Sequence, residues 1–391
     1  MIFLVSDVKG KFESFGVSHY LEPITYPKVD VSNILVVENS LGKRILGKCP
    51  HILRAEFQAE KIPGFPLPLP LLDQIPDGSK IIVIRGGGIG DLILLIPALR
   101  IFKNLLGKQI VLSLATFQDK IDIFRGIPEI DELKVMPARL SEMLGYDFYV
   151  EFSARLDLFR EIHMTDYYLS LFGISYEDVE VSLKEPWVCP ETGNSEKVRD
   201  WFHNLRKKWA NVVYVNLDAT DIIRRLPPSL IPELAKAFPN VGFVISRLEN
   251  KDYLKAYPNL FALDTYTSLK AYFSLILNSD AIVSSDSSAY HIAGAFRKPA
   301  VALFGPIASA LRAKYYSSVI PIDAQYVGKT CTSPCGLNAV TELKYSNLGK
   351  AYDFSKGCPE AQLRGTVYSP CLLSISSEKI IEALSRLLST S

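Results

Sequence analysis

Residues 81–100 read IIVIRGGGIGDLILLIPALR. The run KIIVIR, from Lys80 to Arg85, is a short, almost continuously apolar stretch of strand length. Four glycines follow within the five positions 86–90, and then DLILLIPALRIFKNLL carries apolar residues at helical spacing. QIVLSLAT at 109–116 is the next strand, and Phe148–Phe152 is a further one. Strands that are apolar throughout, instead of alternating, are buried on both faces, so this rhythm predicts a parallel sheet covered by helices.

A second alternation begins after Trp187. A polar amphipathic helix over Ser195–Trp209 leads to the strand VVYVNL, and a helix over Pro228–Ala237 leads to the strand VGFVIS. A helix over Leu269–Leu277, the strand AIVSSD, a helix over Ala289–Phe296 and the strand AVALFG follow. The expected fold class is α/β, with two doubly wound, Rossmann-like lobes facing a cleft, and ligands bound beyond the carboxyl ends of the strands. Residues 1–62 contain short strand-like runs (FLV, ILVV, HILRAEF) and are expected to form a small β-rich accessory domain. Residues 63–78 hold five prolines and are expected to be an extended linker. The first lobe is then 79–190 and the second 191–375, with a cysteine-rich segment at 326–371. The stretch 376–391 is an amphipathic closing helix.

The bulk numbers agree with two cores. The chain has 391 residues, 48% hydrophobic and 22% charged, with 43 Lys plus Arg against 42 Asp plus Glu. Such balance gives no global field toward nucleic acid or an anionic membrane. The opening MIFLVSDVKG is broken by Asp7 and Lys9 and is not a signal peptide. No uncharged apolar run reaches spanning length. The expectation is a cytoplasmic protein, with peripheral contact at the inner face of the membrane if its acceptor is lipid-borne.

Two stretches carry chemistry. In the first, the glycines admit a ligand close to the backbone, and the helix start offers free N–H groups to an anion. A carboxylate in the first turn, Asp91, would repel a pyrophosphate, so a dinucleotide fingerprint does not fit. Asp91 is either a helix cap or a general base. The second stretch is AIVSSDSSAYHIAGAFRKPAVALFGP, 281–306. Asp286, Ser287 and Ser288 stand where a strand gives way to a helix, and hydroxyls with helix N–H groups suit a diphosphate. His291 is either part of that pocket or a packed core residue. Gly305 and Pro306 end the next strand. The other histidines lack ligand-like spacing.

At these two stretches the chain resembles the heptosyltransferases of glycosyltransferase family nine. The family shows a strand, Arg or Lys, four variable residues, Gly-Asp, and a helix with Pro-Ala-Leu. Arg85, Gly90, Asp91, Pro97, Ala98 and Leu99 match it. Its second motif, D-T/S-G-x-x-H-x-A-x-A…K-P-x-V-x-L-F-G, is matched by Asp286, Ser287, His291, Ala293, Ala295, Lys298, Pro299, Val301, Leu303, Phe304 and Gly305. Ser288 departs from the family's glycine. The resemblance implies a GT-B fold and an inverting transfer without a catalytic cofactor. It implies Asp91 as base toward the acceptor, with Gly90 beside it, and the second motif as the donor site. It also implies Arg224 or Arg225 as the cation on the donor phosphates, where the family often has Lys, and Glu249 as an acid near the donor ribose.

Four of the six cysteines crowd the end of the chain: Cys331, Cys335, Cys358 and Cys371. Their spacing is C-x3-C, 22 residues, C-x12-C. In a reducing compartment such clustering points toward a structural Zn or Fe ion, with free thiols or a labile disulfide as the rival. The tail is similar to the cysteine-bearing tail of family-nine proteins and to the iron-binding finger of the autotransporter heptosyltransferases. The expected function is transfer of a sugar, heptose from ADP-heptose, to a glycan, lipid-core (lipopolysaccharide) or protein hydroxyl. The rivals are a non-catalytic nucleotide-sugar-binding or assembly protein and a GT-B sugar-nucleotide epimerase. The expected partners are the nucleotide-sugar donor, that acceptor, and a second copy of the chain through the N-terminal domain, with no nucleic acid.

Overall fold

The structure is a computed structural model that describes residues 2–6, 10–14, 17–21, 34–49, 52–54, 62–107, 109–152, 161–246, 252–263, 268–336 and 357–389. The chain divides into two compact units. The first comprises Met1–Leu158 and Met164–Lys184. The second comprises Phe159–His163 and Glu185–Ser391. Among the described residues no helix is long and apolar enough to cross a membrane.

The strands of the first unit are β1 (Ile2–Ser6), β2 (Gly10–Ser14), β3 (Val17–Leu21), β4 (Leu35–Val37), β5 (Ile52–Arg54), β6 (Leu67–Pro68), β7 (Lys80–Ile84), β8 (Val111–Phe117), β9 (Glu132–Met136), β10 (Ala138–Arg139) and β11 (Phe148–Glu151). Five of them form a sheet in the order β6-β11-β7-β8-β9, and every pair in it is parallel. Ile81, Ile82, Val83 and Ile84 are all buried, as strands covered on both faces must be. The helix Ile89–Leu106 follows β7, buries ten residues, and stops at Gly107, whose left-handed φ of 55° is the ordinary helix exit.

The second unit contributes β12 (Asn211–Asn216), β13 (Val241–Ile245), β14 (Leu260–Ala262), β15 (Ala281–Ser285), β16 (Ala300–Phe304) and β17 (Val319–Asp323). Their order is β14-β13-β12-β15-β16-β17, again all parallel. In chain order this is 3-2-1-4-5-6, the doubly wound arrangement with its reversal between β12 and β15. The helix Ser377–Ser389 lays Ile380, Ala383 and Leu384 onto the core formed by Val213, Phe243, Val283 and Leu303. The α/β class and the parallel sheets are as the sequence predicts.

The start of the chain differs from expectation. β1, β4 and β5 form an antiparallel sheet, but its fourth member is β10, from the middle of the first lobe. Phe3, Leu4, Ile34, Leu35, Val36 and Val37 share one core with Ile82, Ile84, Ala115, Phe117 and Met136. The described strands β1 and β4 therefore do not stand apart as a module with its own core. The proline stretch is not a free linker either. Its prolines alternate with Leu67 and Leu69, whose N–H groups donate to Asp147 and Tyr149. An edge strand tolerates donorless residues on its open side, so β6 is built from the feature that suggested a spacer.

A chain starting at Asp77 should therefore lose the fold of the first unit. Burying one large apolar side chain contributes about 1.5–3 kcal/mol. Removing Phe3, Leu4, Leu35, Val36, Val37 and Phe65 together takes away about 9–18 kcal/mol, as much as the whole of the roughly 5–15 kcal/mol stability of an ordinary domain. Near-UV circular dichroism and thermal melting test this. A truncated chain that melts cooperatively, within a few degrees of the full chain, contradicts it.

Candidate functional site

In the first unit the order of the parallel strands reverses between β7 and β11, and Arg85 leaves β7 at that point. Its side chain is buried, only 4% exposed. Nε donates to the Tyr168 hydroxyl at 3.2 Å, and Nη1 donates to the Phe152 carbonyl at 3.0 Å. Nη2 lies 3.5 Å from Asp91 Oδ2. Burial opposes the charge on Arg85, but the Tyr168 oxygen and the Asp91 carboxylate together hold its pKa above the usual value, so it is a permanent cation. Burial likewise raises the Tyr168 pKa, which keeps its hydroxyl protonated.

The glycines make this pairing possible. A side chain at Gly86 would begin 2.2 Å from the Phe117 ring. Gly87 has φ +128°, which L-residues rarely adopt, and its Cβ would lie 2.9 Å from Asp91 Oδ2 and 3.3 Å from Arg85 Nη2. Asp91 Oδ2 also accepts from the Gly88 N–H at 3.1 Å, the cap of the helix. The cap contact uses Oδ2. Among the described residues no hydrogen bond or ion pair falls on Oδ1, and the side chain is 36% exposed. Gly90 sits beside it in the first turn.

In the second unit the polar residues gather at the reversal between β12 and β15. Asn216, at the end of β12, donates to the Asp218 carbonyl at 2.8 Å and to Ser287 Oγ at 2.7 Å. Ser284 and Ser287 hydroxyls lie 3.2 Å apart, Ser285 Oγ donates to the Asp218 carbonyl at 2.8 Å, and Ser288 Oγ is 3.2 Å from the Tyr272 hydroxyl. Ser287 precedes the helix Ser288–Ala295 without capping it through its side chain. The first-turn N–H groups thus lack the usual hydroxyl acceptor and face the strand ends.

Two arginines stand in the turn at Ile222–Arg224 and just after it. Arg224 Nη1 donates to the Asp286 carbonyl at 2.9 Å and lies 3.7 Å from Asp286 Oδ2. Its Nε is buried with no acceptor among the described residues. Arg225 is more open; Nε donates to the Ala219 carbonyl at 3.2 Å and lies 3.8 Å from Asp218 Oδ1. Asp286 itself is buried and engaged by Arg224 and by the Tyr290 hydroxyl. Its geometry makes it the anchor of Arg224.

His291 sits in the core. Nδ1 is 2.8 Å from the Tyr316 hydroxyl, and the ring lies 4.0 Å from that of Tyr290. Burial, with Arg312, His163 and Arg224 nearby, pushes its pKa well below the usual value, so it is neutral. Gly305 is packed against the tail: a Cβ there would lie 2.8 Å from Cys371 Sγ. Pro306 accepts from the Gly336 N–H at 2.8 Å. Glu249 lies outside the described residues. Sequence reasoning missed Asn216 and Tyr168. Asn216 left a signal, a polar residue closing an apolar strand; Tyr168 is 83 positions from the arginine it touches and left none.

The four cysteines line one cavity of about 220 Å³ together with Ile223, Pro306, Tyr326, Thr330, Glu360 and Ser369. None of them is in a disulfide. Burial, then the neighbouring thiols, pushes Cys331 up to about 11 and Cys371 up to about 12. Glu360 closes one wall. It accepts from the Tyr326 hydroxyl at 2.8 Å and from the Lys329 and Thr330 N–H groups at 3.1 and 2.9 Å, and these bonds, led by that from the Thr330 hydroxyl, bring its pKa down to about 2. The donor set suits Zn or Fe by chemistry and by convergence on one cavity. Among the described residues, however, no three such groups are close enough together to hold an ion.

Residues 249–333 match the sequence model of Glycosyltransferase family 9 (heptosyltransferase), a span that includes the second motif and excludes the first. No curated protein matches the chain. Among solved structures, the ADP-heptose LPS heptosyltransferase II of E. coli superposes with a TM-score of 0.56 at 16% identity, over 80% of this chain and 99% of that one. A family 9 glycosyl transferase from Veillonella parvula gives 0.54 at 14% identity, over 81% and 98%. The iron-containing dodecameric glycosyltransferase TibC of enterotoxigenic E. coli gives 0.55 at 13% identity, over 81% and 77%. At these identities the superpositions show the fold, and the family match bears on the resemblance that the second motif carries.

Proposed function

From the premise that the chain is a glycosyltransferase of the family-nine type, we propose that it transfers a sugar with inversion from a nucleotide-sugar donor, heptose from ADP-heptose, to a hydroxyl of a glycan, lipid core or protein. The observation that carries this reading is the second-unit cluster. An arginine with a buried, unused Nε–H stands beside a serine-rich helix start at the reversal of a parallel sheet. Such a place binds a diphosphate. The choice of heptose follows the E. coli ADP-heptose LPS heptosyltransferase II and the TibC complex with ADP-D-β-D-heptose, to which the fold is similar.

In this reading Asp91 takes the proton of the acceptor hydroxyl on its open oxygen, Oδ1. Arg85 and the Gly88 N–H hold Oδ2 and so fix the carboxylate. The freed oxygen attacks the anomeric carbon as the bond to the nucleoside diphosphate breaks. Negative charge then grows on the leaving diphosphate, where Arg224, Arg225 and the N–H groups at Ser287–Ser288 meet it. Asp286 lowers the cost of keeping Arg224 half buried. Neutral His291, packed against Tyr290 and Tyr316, adds no charge.

Asp91→Asn should retain donor binding and lower transfer by about 10²–10⁴-fold, the usual loss with a general base. Product formation from ADP-heptose, measured with and without an acceptor extract, tests it. Full transfer by a folded Asp91→Asn protein refutes the role. Turnover of the donor to an isomeric nucleotide sugar without acceptor would replace transfer by epimerisation, and binding without any turnover would leave an assembly protein.

The reading includes a structural Zn or Fe ion that would draw Cys331, Cys335, Cys358 and Cys371 closer together than they stand in the structure; their shared cavity supports it. When bound, the ion would cross-link the segments around the cavity, and no step of the transfer passes through it. Protein purified without an affinity metal should contain about one ion per chain, lost when any one of the four becomes Ser. A metal-free native protein with four titratable thiols removes the site.

A further inference from the structure

The cysteine-lined cavity and the arginine turn share a wall. Ile223 and Ser369 both line the cavity, and Ile223 is the residue immediately before Arg224. The Ser369 hydroxyl, in a side chain only 1% exposed, donates to the Ile223 carbonyl at 2.6 Å across 146 positions of sequence. On its other side the Ile223 N–H donates to Asp221 Oδ1 at 3.2 Å. Both backbone groups of the residue before Arg224 are therefore held by side chains. One of those side chains belongs to the tail segment that carries Cys371.

We propose that Ser369 is a positioning residue for donor binding: through the Ile223 carbonyl it sets the turn that aims Arg224 at the donor diphosphate. This rests on the donor site assigned above. The Arg224 guanidinium has little freedom of its own, since Nη1 is bonded to the Asp286 carbonyl. Its placement follows the backbone of the turn, and that backbone is fixed at Ile223. Leu226, past the turn, is tied to the Leu217 carbonyl at 2.9 Å, and Arg225 Nε is held to the Ala219 carbonyl, so the strain of a shifted Ile223 falls on Arg224. The tail thereby acts on donor affinity without touching the donor. The same geometry gives the neighbouring cysteines a functional consequence. Cys371 lies two positions beyond Ser369, in the helix Pro370–Leu373 that Ser369 precedes. Whatever orders or loosens that helix moves the hydroxyl on which the turn depends.

The test is a double-mutant cycle on the full chain, with Ser369→Ala and Arg224→Ala alone and together. Binding of ADP, GDP and UDP is followed by calorimetry, and the KM of the donor is compared with that of the acceptor. Loss of one hydroxyl–carbonyl bond should weaken nucleotide binding and raise the donor KM by about 3–10-fold in the otherwise native chain, with the acceptor KM unchanged. In the Arg224→Ala background the same change should have no further effect, because the group it positions is gone. A general loosening of the fold would weaken binding equally in both backgrounds, and that result overturns the proposal, as does unchanged binding in Ser369→Ala. If Ser369→Ala does not fold, Ser369→Cys, which keeps the volume and weakens the donor, takes its place in the cycle. Failure of Arg224→Ala to weaken any of the three nucleotides, or failure of all three to bind the native chain, defeats the donor site itself and this inference with it. A weakened Arg224→Ala beside an unaffected Ser369→Ala defeats this inference alone.

Discussion

A parallel sheet whose chain order reverses leaves a gap at its carboxyl edge, because the loops on the two sides of the reversal run away in opposite directions. Among the described residues, many of the buried polar groups gather at two such edges. In the second unit the gap opens between β12 and β15, and Asn216, Asp218, Ser284, Ser285 and Ser287 bind one another across it. In the first unit it opens between β7 and β11, and Arg85 bridges from the end of β7 to the Phe152 carbonyl just past β11. The fold supplies the place, and the apolar strands, buried on both faces, hold it rigid.

Charge is handled differently at the two places. Arg85 is surrounded: its guanidinium meets a hydroxyl, a carbonyl and a carboxylate, so its work is to hold Asp91. Arg224 is left one donor short, and Arg225 is only loosely paired. A half-buried cation with a spare N–H invites an anion; a buried cation with a partner on each nitrogen orients a neighbour. In the proposed reading one edge presents a carboxylate and the other receives a phosphate, which is the division of labour a glycosyl transfer requires.

Much of this was legible in the sequence, for a physical reason. Continuous apolar strands such as KIIVIR and AIVSS, alternating with helical runs, suit a parallel sheet covered on both faces, and a glycine run between a strand and an apolar helical run suits a tight strand-to-helix turn. The α/β class and the placing of Asp91 and Ser287 at strand-to-helix turns follow from those two patterns. The misreadings have reasons of the same kind. Alternating prolines in 63–70 signal an absence of donors, which suits both a linker and the open side of an edge strand; only the partner, β11, distinguishes them. The strands near residues 2–5 and 34–37 looked independent because their core partners, Ile82, Phe117 and Met136, lie far along the chain. His291 has the right spacing for a pocket residue, yet its ring is held by Tyr290 and Tyr316, a contact no local pattern announces. The bond from Ser369 to Ile223 is equally silent in sequence.

The central claim is that the nucleoside diphosphate lies at the β12–β15 reversal. A crystal structure of the protein with ADP tests it most directly. The account predicts both phosphates at the start of the helix Ser288–Ala295, with the Nε of Arg224 donating to one of their oxygens. Phosphates found instead against the Gly86–Gly88 loop beside Asp91 would contradict it.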